Sequence, residues 1–86
     1  MKVLLPTPLA EYTNGAREVE AQGDTLAALL DDLERRHPGI RFRMIDEQGR
    51  ARAHMRFFVN GELQRSLSAA ICESDRVMVV AALSGG

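Results

Sequence analysis

A single cysteine in 86 residues, Cys72, excludes an internal disulfide and any cluster of metal-binding thiolates, so stability has to come from hydrophobic burial. Lysine is equally scarce: Lys2 stands alone, and the other ten of the eleven basic residues are arginines. With twelve acidic residues the net charge is -1, which lacks the long-range positive field that nucleic-acid binding uses. Aromatic residues make up 5% of the chain, and the arginines at 41, 43, 50, 52 and 56 are accompanied by Phe42 but not by the interleaved aromatics of a base-stacking platform. No apolar run approaches the roughly 20 residues of a membrane span. The opening Met1-Lys2-Val3-Leu4-Leu5-Pro6 is broken by Pro6 before it reaches the length of a signal-peptide core. A soluble, cytoplasmic protein with no membrane or nucleic-acid partner is expected.

What is present fits one small domain, since 86 residues cannot be divided without losing the core. Lys2 to Leu5 alternates as a strand with Val3 and Leu5 on one face, ended by Pro6 and Pro8. Asn14-Gly15 is a turn signal, and Arg17-Glu18-Val19-Glu20-Ala21 alternates as the returning strand of a hairpin. Gly23-Asp24-Thr25 opens a helix with Asp24 as the expected N-cap. Leu26, Leu29, Leu30 and Leu33 form its apolar stripe, with Asp31, Asp32, Glu34 and Arg35 outside it, and Pro38-Gly39 ends it. Ile40 to His54 reads as a short helical turn and an exposed loop around Gln48-Gly49, whose arginines are expected to be solvated. Met55 to Val59 is a strand, Asn60-Gly61 a turn, Glu62 to Arg65 an edge strand and Ser66 to Ser74 irregular. Arg76 to Ala82 is apolar on both sides, as a central strand should be. The order β-β-α-β-β-β with one covering helix is an α+β, β-grasp (ubiquitin-like) arrangement, a mixed sheet of four to five strands over residues 1-82.

The sequence closes on Leu83-Ser84-Gly85-Gly86. Two glycines supply backbone without Cβ atoms, which can enter a channel too narrow for other residues. Extended, residues 83-86 would project roughly 13 Å from the sheet as a flexible diglycine tail.

Three segments then resemble the MoaD/ThiS family of ubiquitin-like sulfur carriers: Gly23-Asp24-Thr25-Leu26 with Leu29, Leu30 and Leu33; Phe58-Val59-Asn60-Gly61-Glu62; and Asp75-Arg76-Val77-Met78-Val79-Val80 followed by Gly85-Gly86. The resemblance implies that the Gly86 carboxylate is adenylated by an ATP-dependent, E1-like activating enzyme and converted to a thiocarboxylate. That group then delivers sulfur to a synthase making cysteine, a secondary metabolite or a cofactor. Gly85 gives access to the tail, ATP is used by the partner, no cofactor is stably bound, and the chain is carrier and substrate rather than enzyme. The lengths of Thr7 to Gly15 and Pro38 to His54 are similar to the longer carriers of cysteine and secondary-metabolite pathways, with the small, non-catalytic subunit of molybdopterin synthase as the rival. Relatives often carry proline where Ala81 or Ala82 stands. A ubiquitin-like modifier that forms isopeptide bonds is an alternative of another class, although one lysine argues against self-linked chains. A binding module that uses only its sheet surface is a third.

Leu4, Phe58, Met78 and Val80 are expected to share the sheet face opposite the helix and, with Leu83 and Ser84, to meet a partner. His37 suits a helix C-terminus, His54 precedes a strand without a second ligand nearby, and Cys72 reads as a buried or incidental thiol.

Overall fold

The computed structural model describes residues 1-81. Strands β1 (Lys2–Leu4), β2 (Glu18–Glu20), β3 (Met55–Val59), β4 (Glu62–Gln64) and β5 (Val77–Ala81) form one mixed sheet in the order β2-β1-β5-β3-β4. β5 lies at its centre, parallel to β1 and antiparallel to β3, while β1-β2 and β3-β4 are antiparallel pairs. Helix α1 (Leu26–Arg36) and the short α2 (Ile40–Met44) complete a β-grasp, ubiquitin-like fold.

The pleat divides the strands cleanly. Val3, Met55, Phe57, Val59, Val77 and Val79 are buried, and the leucine stripe of α1, Leu26, Leu29, Leu30 and Leu33, joins them in one core. Ile40 and Met44 add a second row from α2, leaving Phe42 outside. Among the described residues no helix is long and apolar enough to cross a membrane.

Four local expectations are corrected. The N-cap of α1 is Thr25, whose Oγ1 accepts from the Ala28 N–H at 3.1 Å, not Asp24. Both residue types can cap; the choice falls on Thr25 because it bridges to Ala70. The 66-70 segment also satisfies the next helix donors, Leu26 N–H on the Ala69 carbonyl and Ala27 N–H on the Leu67 carbonyl. The irregular segment is therefore the cap of the main helix. Gly23 passes so close to α1 that a Cβ there would collide with the Leu29 backbone nitrogen.

Second, Thr7–Thr13, in the connection between the two strands of the expected hairpin, is a 3-10 helix. Pro6 and Pro8 signal the end of β1, but proline is also tolerated at the start of a helix, where its missing N–H has no partner to lose. The Asn14-Gly15 turn follows with positive φ at both residues. Third, Cys72 is exposed, so of its two readings, buried or incidental, the buried one falls.

Fourth, Asp32 lies beside the leucine stripe and is buried at 6% exposure. It accepts from the Gln22 N–H at 2.8 Å and from Arg36 Nε at 2.8 Å, and also from the Arg35 guanidinium. This ties the β2-α1 connection to the helix. The Arg35 bond, then the Gln22 N–H, then Arg36 hold the carboxyl at about 2, below its ordinary 3.8, against the opposing pull of burial. A folded-state value below the unfolded one means that the unfolded chain binds more protons between the two, so this contribution is complete above pH 4 and is lost as pH falls toward 2. Urea unfolding at pH 2.5, 4 and 6 should accordingly lose part of its pH dependence in Asp32→Asn; an unchanged slope would remove Asp32 from the account.

Candidate functional site: a sheet face and a strand exit

The face away from α1 is built by strand register. Leu4 pairs with Met78, Met78 with Phe58, and Phe58 with Leu63, so four apolar side chains from β1, β5, β3 and β4 run in one row across the sheet. Glu18, the partner of Leu4 on β2, closes the row at one end. Leu4, Met78 and Leu63 are 37%, 42% and 38% exposed, and Phe58 is half-buried between its neighbours. Three of the residues expected here, Leu4, Phe58 and Met78, are thus brought together. Val80 stands one step further along β5, half-buried and paired with Arg56. Leu63 was not anticipated; its signal was the Asn-Gly turn, which fixes the β3-β4 register and hence the face of every residue on β4.

That turn also anchors the start of β5. Asn60 and Gly61 have positive φ, at 52° and 84°. The Asn60 N–H donates to the Arg76 carbonyl at 2.8 Å, its Oδ1 accepts from the Arg76 N–H at 2.9 Å, and its Nδ2 donates to Asp75 Oδ1 at 2.9 Å. Asp75 accepts from the Cys72 N–H as well, at 2.8 Å, and these bonds lower its pKa, with the Cys72 bond the larger cause. A shallow groove along the row is bordered by Lys2, Glu18, Asn60 and Arg76.

At the other end of β5, Ala81 pairs with Met55 on the central pair of strands. Up to that residue β5 is held by β3, and over its earlier length by β1 as well. Leu83, Ser84, Gly85 and Gly86 lie outside the described residues. His37 is the C-cap of α1, as a residue at that helix end, while His54 and Cys72 are exposed. The exposed apolar row and the last described residue of β5 thus belong to the same sheet.

The sequence matches the ThiS family over residues 3-86. It is 37% identical over 89 residues to the sulfur carrier protein CysO of Mycobacterium tuberculosis, covering 98% of this chain and 96% of that protein. The crystal structure of that CysO superimposes with a TM-score of 0.90 at 36% identity, covering 95% of this chain and 98% of the other. A chain of the BexX/CysO complex of Amycolatopsis orientalis gives 0.90 at 33%, covering 99% and 98%. SAMP1, the small archaeal modifier protein 1 of Haloferax volcanii, gives 0.79 at 31%, covering 100% and 98%. A β-grasp with a central C-terminal strand, matched over nearly its full length to carriers of sulfur, belongs to the ThiS family of ubiquitin-like sulfur carriers.

Proposed function

We propose that this chain carries sulfur as a thiocarboxylate on Gly86 and donates it in a biosynthetic reaction, as a substrate of its partners rather than an enzyme. The observation that supports the reading best is the likeness to CysO across 98% of the chain. A carboxylate is a poor acyl donor, because an oxide anion is a poor leaving group. In the proposed sequence the Gly86 carboxylate attacks the α-phosphorus of ATP on an E1-like enzyme, releasing pyrophosphate and forming an acyl-adenylate. A sulfur nucleophile then displaces AMP, and the acyl carbon gains a C–S bond. Gly85 and Gly86 admit the reacting carbonyl to the partner, and β5 gives the tail its fixed origin. Sulfur acceptors of the cysteine or secondary-metabolite type fit the likeness to CysO; a role as the small subunit of molybdopterin synthase is the alternative within the family.

The test is the mass of the C-terminal peptide from protein isolated from its native host. Replacement of one carboxylate oxygen by sulfur on Gly86, reactive toward an alkylating reagent, supports the carrier. The whole-protein mass does not suffice, because oxidation of any of the four methionines gives nearly the same shift. A carboxylate that stays unmodified after incubation with ATP, sulfide and the host's adenylating enzymes counts against it.

The likeness to SAMP1 favours a second reading, conjugation to lysines of other proteins through the same activated carboxyl. The two differ in the last nucleophile, sulfide or amine. Host proteins bearing a Gly-Gly remnant from this chain would mark the second.

In either case the apolar row is the contact surface we assign to the activating enzyme. Met78→Glu is expected to weaken that association about tenfold or more, the scale of a central interface residue, with unfolding shifted by less than about 1 kcal/mol. Unchanged affinity would remove the row from the interface.

A further inference from the structure

The arginines that composition alone assigns to a solvated loop gather at one end of the molecule. Residues 41-56 hold five arginines against two carboxylates, Asp46 and Glu47, a net of +3; since the whole chain carries -1, the other 70 residues carry -4. The positive end is the end that holds Ala81, the last described residue of β5, because Met55 pairs with Ala81. A groove of about 410 Å³ opens there, lined among others by Phe42, Arg43, Glu47, Arg52, His54 and Ala81.

Arg41 is paired with Asp31 at 2.9 Å, but the groove arginines are held differently. Arg52 stacks over the Phe42 ring, 4.5 Å from its centroid, and its Nε donates to the Phe42 carbonyl at 2.7 Å. Phe42, at 57% exposure, is the most exposed large apolar side chain of the described residues. Arg43 lies over Tyr12 at 5.9 Å, with Glu11 no nearer than 3.8 Å. Among the described residues neither Arg52 nor Arg56 has a carboxylate within 4.0 Å. Arginine is expensive to order, and Arg52 is already ordered, by an aromatic ring and a carbonyl that leave its two terminal nitrogens for an external carboxylate.

We propose that this groove is a second docking surface, separate from the apolar row, and that its occupant is an acidic segment of the enzyme that activates the tail; the inference rests on the carrier reading. A short run of Asp and Glu fits better than a nucleic acid, whose continued negative charge would meet the net -4 of the remaining surface. The charge separation also turns the tail end of the carrier toward an acidic partner before contact.

The full chain, isotopically labelled, is titrated with an eight-residue Asp/Glu peptide and, separately, with a single-stranded DNA octamer. Peptide-induced amide shifts are expected to saturate, to centre on residues 42-56 and Ala81, and to vanish in high salt. Arg43→Glu/Arg52→Glu should weaken peptide binding at least tenfold, whereas the charge-matched control Arg17→Glu/Arg65→Glu should change it less than twofold. Shifts spread evenly over distant arginines, equal loss in the control, or tighter binding of the DNA than of the peptide would overturn the proposal. With the host's adenylating enzyme, the groove variant should raise KM for the carrier at least tenfold at unchanged kcat; an unchanged KM would also overturn it. Wild-type chain that binds the peptide but is never adenylated would count against the carrier reading and leave the groove standing.

Discussion

Removal of Gly85 and Gly86 is expected to abolish sulfur loading completely while leaving the unfolding midpoint unchanged. The two glycines follow the last described strand residue, Ala81, by four and five positions, and as glycines they bring no side chain to a core. On the proposed carrier reading their deletion takes away the reacting carbonyl, so the loss should be absolute rather than graded, down to the detection limit of C-terminal peptide mass spectrometry. A milder change separates access from chemistry. Gly85→Val keeps the carboxylate but adds a branched side chain, and the activating enzyme should then process it far more slowly, in keeping with a channel cut for a bare backbone. A truncated chain that still supported its pathway would rule out both carboxylate mechanisms and leave the sheet surface as the working part.

The second large effect is structural. Phe57→Ala should cost about 3 to 5 kcal/mol, the usual range for truncating a buried aromatic residue. Phe57 is 2% exposed, pairs with Val79 on β5 and Gln64 on β4, and faces the leucine stripe of α1. For a domain of this size about 4 to 8 °C of melting temperature goes with each kcal/mol, so a fall well beyond 10 °C is expected. Its neighbour Phe58 supplies the contrast. One residue along the strand points to the opposite face, so Phe58→Ala should cost less than half as much while impairing partner binding. Urea unfolding and an affinity measurement on the two variants would decide; equal stability losses would mean that the two faces of β3 are not distinguished as described.

That contrast is also what made the fold readable. Period-two alternation in Met55 to Val59 and the 3, 4, 7 spacing of Leu26, Leu29, Leu30 and Leu33 are direct projections of burial onto sequence, and both survive in the structure without change. The central position of β5 was legible as a strand apolar on both sides, although its Met78 side is exposed rather than buried. What was less legible depends on contacts between distant segments. Asp24 and Thr25 are equally good caps locally, and only the bridge from Thr25 to Ala70 decides between them. Asp32 reads only as a carboxylate outside the leucine stripe until Gln22, ten residues earlier, is seen to donate to it. The 3-10 helix at Thr7–Thr13 was hidden because proline marks both the end of a strand and the start of a helix. At the site, Leu4, Phe58 and Met78 followed from alternation alone, whereas Leu63 required the register that the Asn60-Gly61 turn imposes.

The basic groove at the end of β5 is made of arginine and not of lysine, and that choice matters if, as proposed, the tail is activated to an acylating agent. A guanidinium stays protonated at any physiological pH, whereas a small fraction of each lysine is always the free amine. An acyl-adenylate beside such an amine would be consumed by amide formation before sulfur arrived. The one lysine, Lys2, sits on β1 beside the start of β5, and β1 runs parallel to β5, so it stands at the opposite end of the sheet from Ala81, about 16 Å away along the strand. There its ammonium faces Glu18 at 3.6 Å. The surface around the strand exit thereby carries its positive charge on arginine rather than on an amine, and on the proposed carrier reading the activated carbonyl meets no lysine of its own chain there.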